Sequence, residues 1–286
     1  MVDFSAIIAI MENLQNVHSS ARSRLVYHRR VVVKVGTTTL TYPNGQLNLR
    51  RMERLCLVLS DLCSQGREVI LVSSGAIAVG ADKLRLGERP RDTRGKQAAS
   101  AVGQALLMQT YQDFFARYHR TIAQILLTRD IASNPRHKEN AHNTLCELLQ
   151  MGVIPIVNEN DAVATDEIES GEFSENDSLS AYVAVLTDSD LLIILSDIEG
   201  LYDSDPKENP AAEFFHEIPE ITDELQALAG GAGSTLGTGG MASKLVAAKL
   251  ATENKIDTII AGGEDPAVLW DLFEGKPQGT LFLRKP

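Results

Sequence analysis

Val31-Val32-Val33-Lys34-Val35 limits what this chain can fold into more than any other stretch. A run so short and so rich in β-branched residues reads as a strand buried on both faces, the kind found at the centre of a parallel sheet. The lysine inside it is costly to bury unless an anion meets its ammonium group. Gly36 follows and lets the backbone approach closely, while Thr37, Thr38 and Thr39 add hydroxyl and amide donors. Lys34 and residues 36–38 are therefore candidates for holding phosphate. The competing reading is an edge strand whose lysine snorkels to water.

Similar apolar runs recur at 68–73, 121–128, 153–157, 190–195 and 257–261, with 280–283 expected as a last strand at the sheet edge. Helical patterns separate them. Asn48 can cap a helix whose apolar face carries Leu49, Met52, Cys56, Leu59 and Cys63, ending at Gly66. Further helices are expected over 95–118, 139–151, from Asn176 onward, and over 245–253. Strands and helices alternating in this way predict an α/β fold of right-handed crossovers around a mainly parallel sheet. In such sheets ligands gather beyond the carboxyl ends of the strands.

The polar motifs fall at those ends. After the strand 68–73 comes Ser74-Gly75-Ala76-Ile77, a strand-to-helix junction whose amides suit an anion; the competing reading is a plain tight turn. After 153–157 come Asn158, Glu159, Asn160 and Asp161, and a loop over 165–175 leads to Asn176 and Asp177 at a helix start. One such residue would serve as an N-cap, but the two junctions supply six Asn, Asp or Glu side chains, more than capping needs. Near the end, residues 237–244 (Gly-Thr-Gly-Gly-Met-Ala-Ser-Lys) open a helix with dense glycine and a lysine in the first turn, as a nucleotide phosphate clamp would. No G-x-x-x-x-G-K-[ST] sequence, protein-kinase catalytic loop or first-strand dinucleotide fingerprint is present.

Composition narrows the partners. With 27 Lys and Arg against 38 Asp and Glu, the formal charge is -11, which disfavours nucleic acid and offers no basic stripe to a membrane. No apolar run reaches the length of a membrane span. Cys56, Cys63 and Cys146 lack metal-ligand spacing and read as buried thiols in a reducing compartment, so a cytoplasmic location is expected. Residues 1–28 read as an N-terminal extension. Its Phe4, Ile7, Ile8, Met11 and Leu14 predict a short amphipathic helix docked on the domain or on a neighbouring subunit. Asp3 and Glu12 argue against a transit peptide there.

Taken together, residues 34–37 (Lys-Val-Gly-Thr), 72–77 (Val-Ser-Ser-Gly-Ala-Ile), 156–163 (Ile-Val-Asn-Glu-Asn-Asp-Ala-Val), 176–181 (Asn-Asp-Ser-Leu-Ser-Ala), the Ser196-to-Pro206 loop and 237–244 resemble, in order, the amino-acid kinase superfamily. Within it the set is similar to the glutamate 5-kinase branch, and to the kinase half of plant-type bifunctional pyrroline-carboxylate synthases. The resemblance implies a three-layer αβα sandwich over 29–286, and ATP with Mg²⁺ phosphorylating the γ-carboxylate of L-glutamate at the start of proline synthesis. By position it assigns Ser74, Asp161 and Asn176 to glutamate. Lys34, Ser196, Asp197, Thr238, Gly239, Gly240, Met241, Ala242, Ser243 and Lys244 match its ATP site. It also implies a homo-oligomer (dimer or tetramer), proline as a feedback inhibitor and a glutamyl-phosphate reductase as recipient of the product. No C-terminal accessory (PUA) domain is expected.

The chemistry needs no general base. A glutamate side chain has a pKa of about 4.3, so the nucleophile is already ionised at neutral pH. The difficulty is anion meeting anion, which positioning and positive charge must overcome. Lys34, Lys244, Mg²⁺ and backbone amides at Gly36 and Gly75 are the expected sources, with Asp177 orienting the two lysines. Asp161 is expected to pair with the substrate α-ammonium, and Ser74 and Asn176 to hydrogen-bond its oxygens. No metal ligand is assigned. Tyr202 is read either as packing near adenine or as a loop anchor. Other acceptors of the same superfamily, a non-catalytic regulatory protein and an RNA-binding role are the alternatives.

Overall fold

The computed structural model describes residues 18–128, 130–163, 176–204, 206, 209–230 and 240–286. Phe4, Ile7, Ile8, Met11 and Leu14 of the expected amphipathic helix, the loop 165–175, and Thr238 and Gly239 lie outside them. In chain order the first half comprises α1 (His18–Ser23), a 3₁₀ turn (Arg24–Tyr27), β1 (Arg30–Val35), α2 (Thr37–Leu40), α3 (Leu49–Ser64), β2 (Glu68–Ser73), α4 (Ala76–Lys83), α5 (Thr93–Arg117), β3 (Ile122–Leu127), α6 (Asp130–Ser133), α7 (Pro135–Gln150) and β4 (Ile154–Glu159). The second half comprises α8 (Asn176–Leu186), β5 (Leu191–Ser196), β6 (Leu201–Tyr202), β7 (Phe214–Phe215), β8 (Glu217–Ile218), α9 (Asp223–Gly230), α10 (Gly240–Glu253), β9 (Asp257–Gly262), α11 (Val268–Phe273) and β10 (Thr280–Phe282).

Eight of the described strands form one sheet in the order β3-β4-β2-β1-β5-β9-β10-β8. The six from β3 to β9 are parallel, as the buried apolar runs predict. β1 sits inside the sheet between β2 and β5, so the edge-strand reading of Lys34 is wrong. β10 runs antiparallel to β9 and is not at the edge: the two-residue β8 pairs beyond it. A strand that short carries no periodicity for the sequence to reveal.

The period of two divides the sheet cleanly. Val31, Val33 and Val35 face a layer that includes Leu55, Leu59, Leu107 and Phe115 from α3 and α5. Val32 faces the opposite layer, with Leu145 of α7, Ala181 of α8 and Leu245 of α10. The result is an αβα sandwich. Lys34 shares the parity of Val32, so its side chain is directed to the side of α8 and α10.

Several helix bounds shift for local reasons. α5 begins at Thr93 because Asp92 accepts from the Gly95 amide. α7 begins at Pro135, earlier than expected, because Asn134 caps it and proline suits the first turn. Leu49, expected on the buried face of α3, is exposed in its first turn. Cys56 is buried and Cys63 packs against the same layer; burial pushes the Cys56 thiol up and the Cys63 thiol to about 11, so packing is their role.

Candidate active site

The chain places β2 on one side of β1 and β5 on the other, which opens a crevice at the carboxyl ends of these strands. A cavity of about 500 Å³ occupies it. Of the residues singled out in the sequence, Lys34, Gly36, Ser74, Gly75, Asp161, Asn176, Asp177, Ser196, Asp197, Gly240 and Lys244 all line this one cavity. Met241 instead packs into the apolar layer, and Ala242 is half-buried beside it. Ser243 reaches the site through Asp177.

Asp177 is the centre of one end. It is fully buried in the first turn of α8, with Lys34 Nζ 2.5 Å from Oδ1 and Lys244 Nζ 3.4 Å from Oδ2. The Lys34 contact is an ion pair rather than an aligned hydrogen bond. Ser243 Oγ donates to Oδ2 at 2.9 Å, and Lys244 Nζ also donates to the Gly240 carbonyl at 2.8 Å. Burial alone would raise the Asp177 carboxyl, but the close charges of Lys34 and Lys244 and the Ser243 hydrogen bond outweigh it and hold it below the usual carboxylate range. A buried anion thus pins two cations that come from a strand near the N-terminus and a helix near the C-terminus.

The other end is polar and hydrogen-bonded. Asn176 Nδ2 donates to Ser74 Oγ at 2.7 Å, the Ser73 carbonyl at 3.0 Å and Asn158 Oδ1 at 3.0 Å. Asn158 in turn donates to Gln104 Oε1 at 2.8 Å. Ser100 Oγ donates to Asp161 Oδ2 at 2.6 Å. Burial pushes the Asp161 carboxyl up, while the Ser100 hydrogen bond and the Arg89 charge partly oppose it. Gly75, with φ of 101°, caps α4 in the left-handed region and turns the chain sharply from β2 into the helix.

Gln104, Ser100 and Arg89 were not singled out in the sequence. The first two lie inside α5, where their spacing reads as helix packing, and Arg89 lies in a loop legible only as polar. Ser196 Oγ donates to Asp197 Oδ1 at 3.0 Å at the end of β5. Tyr202 lines not this cavity but an adjoining one shared with Ser196 and Asp197, where it packs edge-on against Phe214 at 5.0 Å and donates to Glu199 Oε2 at 3.2 Å. The described residues contain no group of three His, Cys, Asp or Glu able to hold a metal ion. No helix among them is long and apolar enough to cross a membrane.

A sequence model of the amino acid kinase family matches residues 29–262. The chain is 54% identical over 265 residues to glutamate 5-kinase of Clostridium perfringens (strain 13 / Type A), covering 92% of this chain and 98% of that protein. It is 48% identical over 264 residues to glutamate 5-kinase of Enterococcus faecalis (strain ATCC 700802 / V583), covering 92% and 97%. Among solved structures, UMP kinase from Ureaplasma parvum superposes with a TM-score of 0.60 at 18% identity, covering 90% of this chain and 99% of that one. An isopentenyl phosphate kinase gives 0.59 at 15% identity, covering 89% and 100%. These last two likenesses concern the fold alone.

Proposed function

This chain belongs to the amino acid kinase family, and we propose that it transfers the γ-phosphoryl group of ATP to the γ-carboxylate of L-glutamate, the first step of proline synthesis. The observation that carries the reading is the buried Asp177 joined to Lys34 and Lys244 in a cavity whose far side presents Asp161. Curated relatives at about half identity over nearly their whole length, all glutamate 5-kinases, support the choice of acceptor.

The acceptor carboxylate arrives ionised, so the chain has no proton to remove. Its task is to bring two anions together and to steady the charge that moves to the leaving group. Lys34 steadies the transferring phosphoryl, and Lys244 the β,γ-bridging side. Asp177 keeps both ammonium groups aimed at the cavity; it is a positioning residue with no role as a base. Amides at Gly36 and Gly75 add donors, and residues 238–244 with Ser196 and Asp197 hold the nucleotide. Ser74 and Asn176 bind substrate oxygens, and Asp161 pairs with the α-ammonium. Mg²⁺, when bound with ATP, would neutralise part of the phosphate charge. Asp177 is committed to the lysines, so the ion would ride on the nucleotide phosphates with water rather than on that carboxylate.

The same reading gives a kinase domain over 29–286 with an N-terminal extension, a cytoplasmic homo-oligomer (dimer or tetramer), proline as a feedback inhibitor and a glutamyl-phosphate reductase as recipient of the product. Coupled ADP release across L-glutamate, N-acetyl-L-glutamate, L-aspartate, carbamate and UMP tests it. L-Glutamate should have the highest kcat/KM, and N-acetyl-L-glutamate, which lacks the ammonium, should be poor. Faster turnover of any other acceptor would overturn the assignment.

A further inference from the structure

Three cations line the cavity: Lys34, Lys244 and Arg89. The first two are bound to Asp177 at the phosphoryl end. Arg89 has no ion pair or hydrogen bond to any described residue, yet its charge reaches Asp161 at the opposite end. Its loop is held from both sides. Leu86 N donates to the Ala81 carbonyl after α4, and Asp92 caps α5 two residues beyond Pro90, which lies against Gly95. The loop thereby places Arg89 in the lining of the cavity, with its charge in reach of the carboxylate assigned to the substrate ammonium.

A free α-amino acid carries two charges at its α-carbon. Asp161 answers the ammonium, but nothing assigned so far answers the α-carboxylate with a full positive charge. An arginine fork matches a carboxylate in shape and in charge. We propose that Arg89 binds the substrate α-carboxylate, so that Asp161 and Arg89 together read the zwitterionic head of the acceptor. This rests on the glutamate kinase reading above and assigns that site a further specificity residue.

The decisive comparison is L-glutamate against 4-aminobutyrate, which keeps the ammonium and the reacting carboxylate and lacks only the α-carboxylate. ADP release would be measured at pH 8 for wild type, Arg89→Met and Arg89→Lys. Wild type should favour L-glutamate strongly. Arg89→Met should raise KM for L-glutamate about 10- to 100-fold, the loss expected of a charge-assisted hydrogen bond, with kcat within about threefold. The loss of kcat/KM on 4-aminobutyrate should be much smaller than on L-glutamate, and Arg89→Lys should recover part of the loss. A wild type active on L-glutamate whose Arg89→Met variant keeps the same KM would overturn this inference alone. So would equal losses on both acceptors, because Arg89 would then act only through Asp161 or the loop. A wild type inactive on L-glutamate overturns the parent reading and this inference with it.

Discussion

Asp177 is buried and holds two ammonium groups and a hydroxyl, so its charge sets where both lysines point. Asparagine has nearly the same shape and cannot pair with either cation. Asp177→Asn should lower kcat about 100-fold while KM for L-glutamate changes less than about threefold, because the lost interaction acts on the phosphoryl end. Steady-state kinetics decide it; matching losses in glutamate binding would remove the role. At the acceptor end the relevant variable is pH. Burial pushes the Asp161 carboxyl up, and the Ser100 hydrogen bond to its charged form pulls it back. Glutamate binding needs that charged form, so KM should rise as pH falls through a value above the ordinary carboxylate range. Ser100→Ala removes the opposing hydrogen bond and should move that rise to higher pH. A KM profile that Ser100→Ala leaves in place would show that Asp161 does not govern binding.

α4 and α5 carry the two sides of the acceptor end, Gly75 at the start of one and Ser100 within the other, and they cross at van der Waals distance. A Cβ on Gly80 would lie 1.7 Å from the Ala99 carbonyl oxygen, and one on Gly103 would lie 1.8 Å from that of Ala76. Either clash is with backbone, so the helices must separate. Gly103→Ala should therefore cost about 1–3 kcal/mol in urea unfolding and raise KM for L-glutamate, since Ser74 and Ser100 move apart. Destabilisation with an unchanged KM would mean that the crossing supports the fold without setting the site. The same elements show what was legible in the sequence and what was not. β1 and its neighbours were legible because buried parallel strands are continuous apolar runs, and the polar motifs were legible because each directly follows such a run. Ser100 and Gln104 were hidden, because inside α5 their spacing looks like packing and their partners Asp161 and Asn158 lie far along the chain. Arg89 was hidden for a different reason: its loop reads only as polar, and only the fold brings it into the lining of the cavity. β8 was invisible because two residues show no alternation, and its absence put β10 at the edge.

At the scale of the whole molecule, the chain is closed by polar contacts between its N-terminal segment and its last strands. Arg22 is buried, and its guanidinium donates to the carbonyls of His216 (2.6 Å), Gly279 (2.7 Å), Gln278 (2.8 Å) and Lys276 (3.3 Å), the chain leading into β8 and β10. None of these partners lines the cavity. Arg22→Met should cost about 2–3 kcal/mol and leave kcat/KM within about threefold. Asp257, at the start of β9, is the second closure: it accepts from the Arg284 amide at 3.0 Å, with His28 Nε2 at 3.0 Å and Arg24 at 3.7 Å. Burial would raise its carboxyl, but the His28 and Arg284 hydrogen bonds and the Arg24 charge outweigh it and hold the group below its ordinary value. A carboxyl depressed on folding stabilises the native state above its unfolded pKa of about 3.9. That contribution is lost as pH falls through the lower, folded value. Asp257→Asn should therefore be less stable than wild type at pH 7, and the gap should narrow steadily as urea unfolding is repeated from pH 5 down to pH 3. Two stability curves that ran parallel over that interval would show that the Asp257 charge contributes nothing to closing the chain.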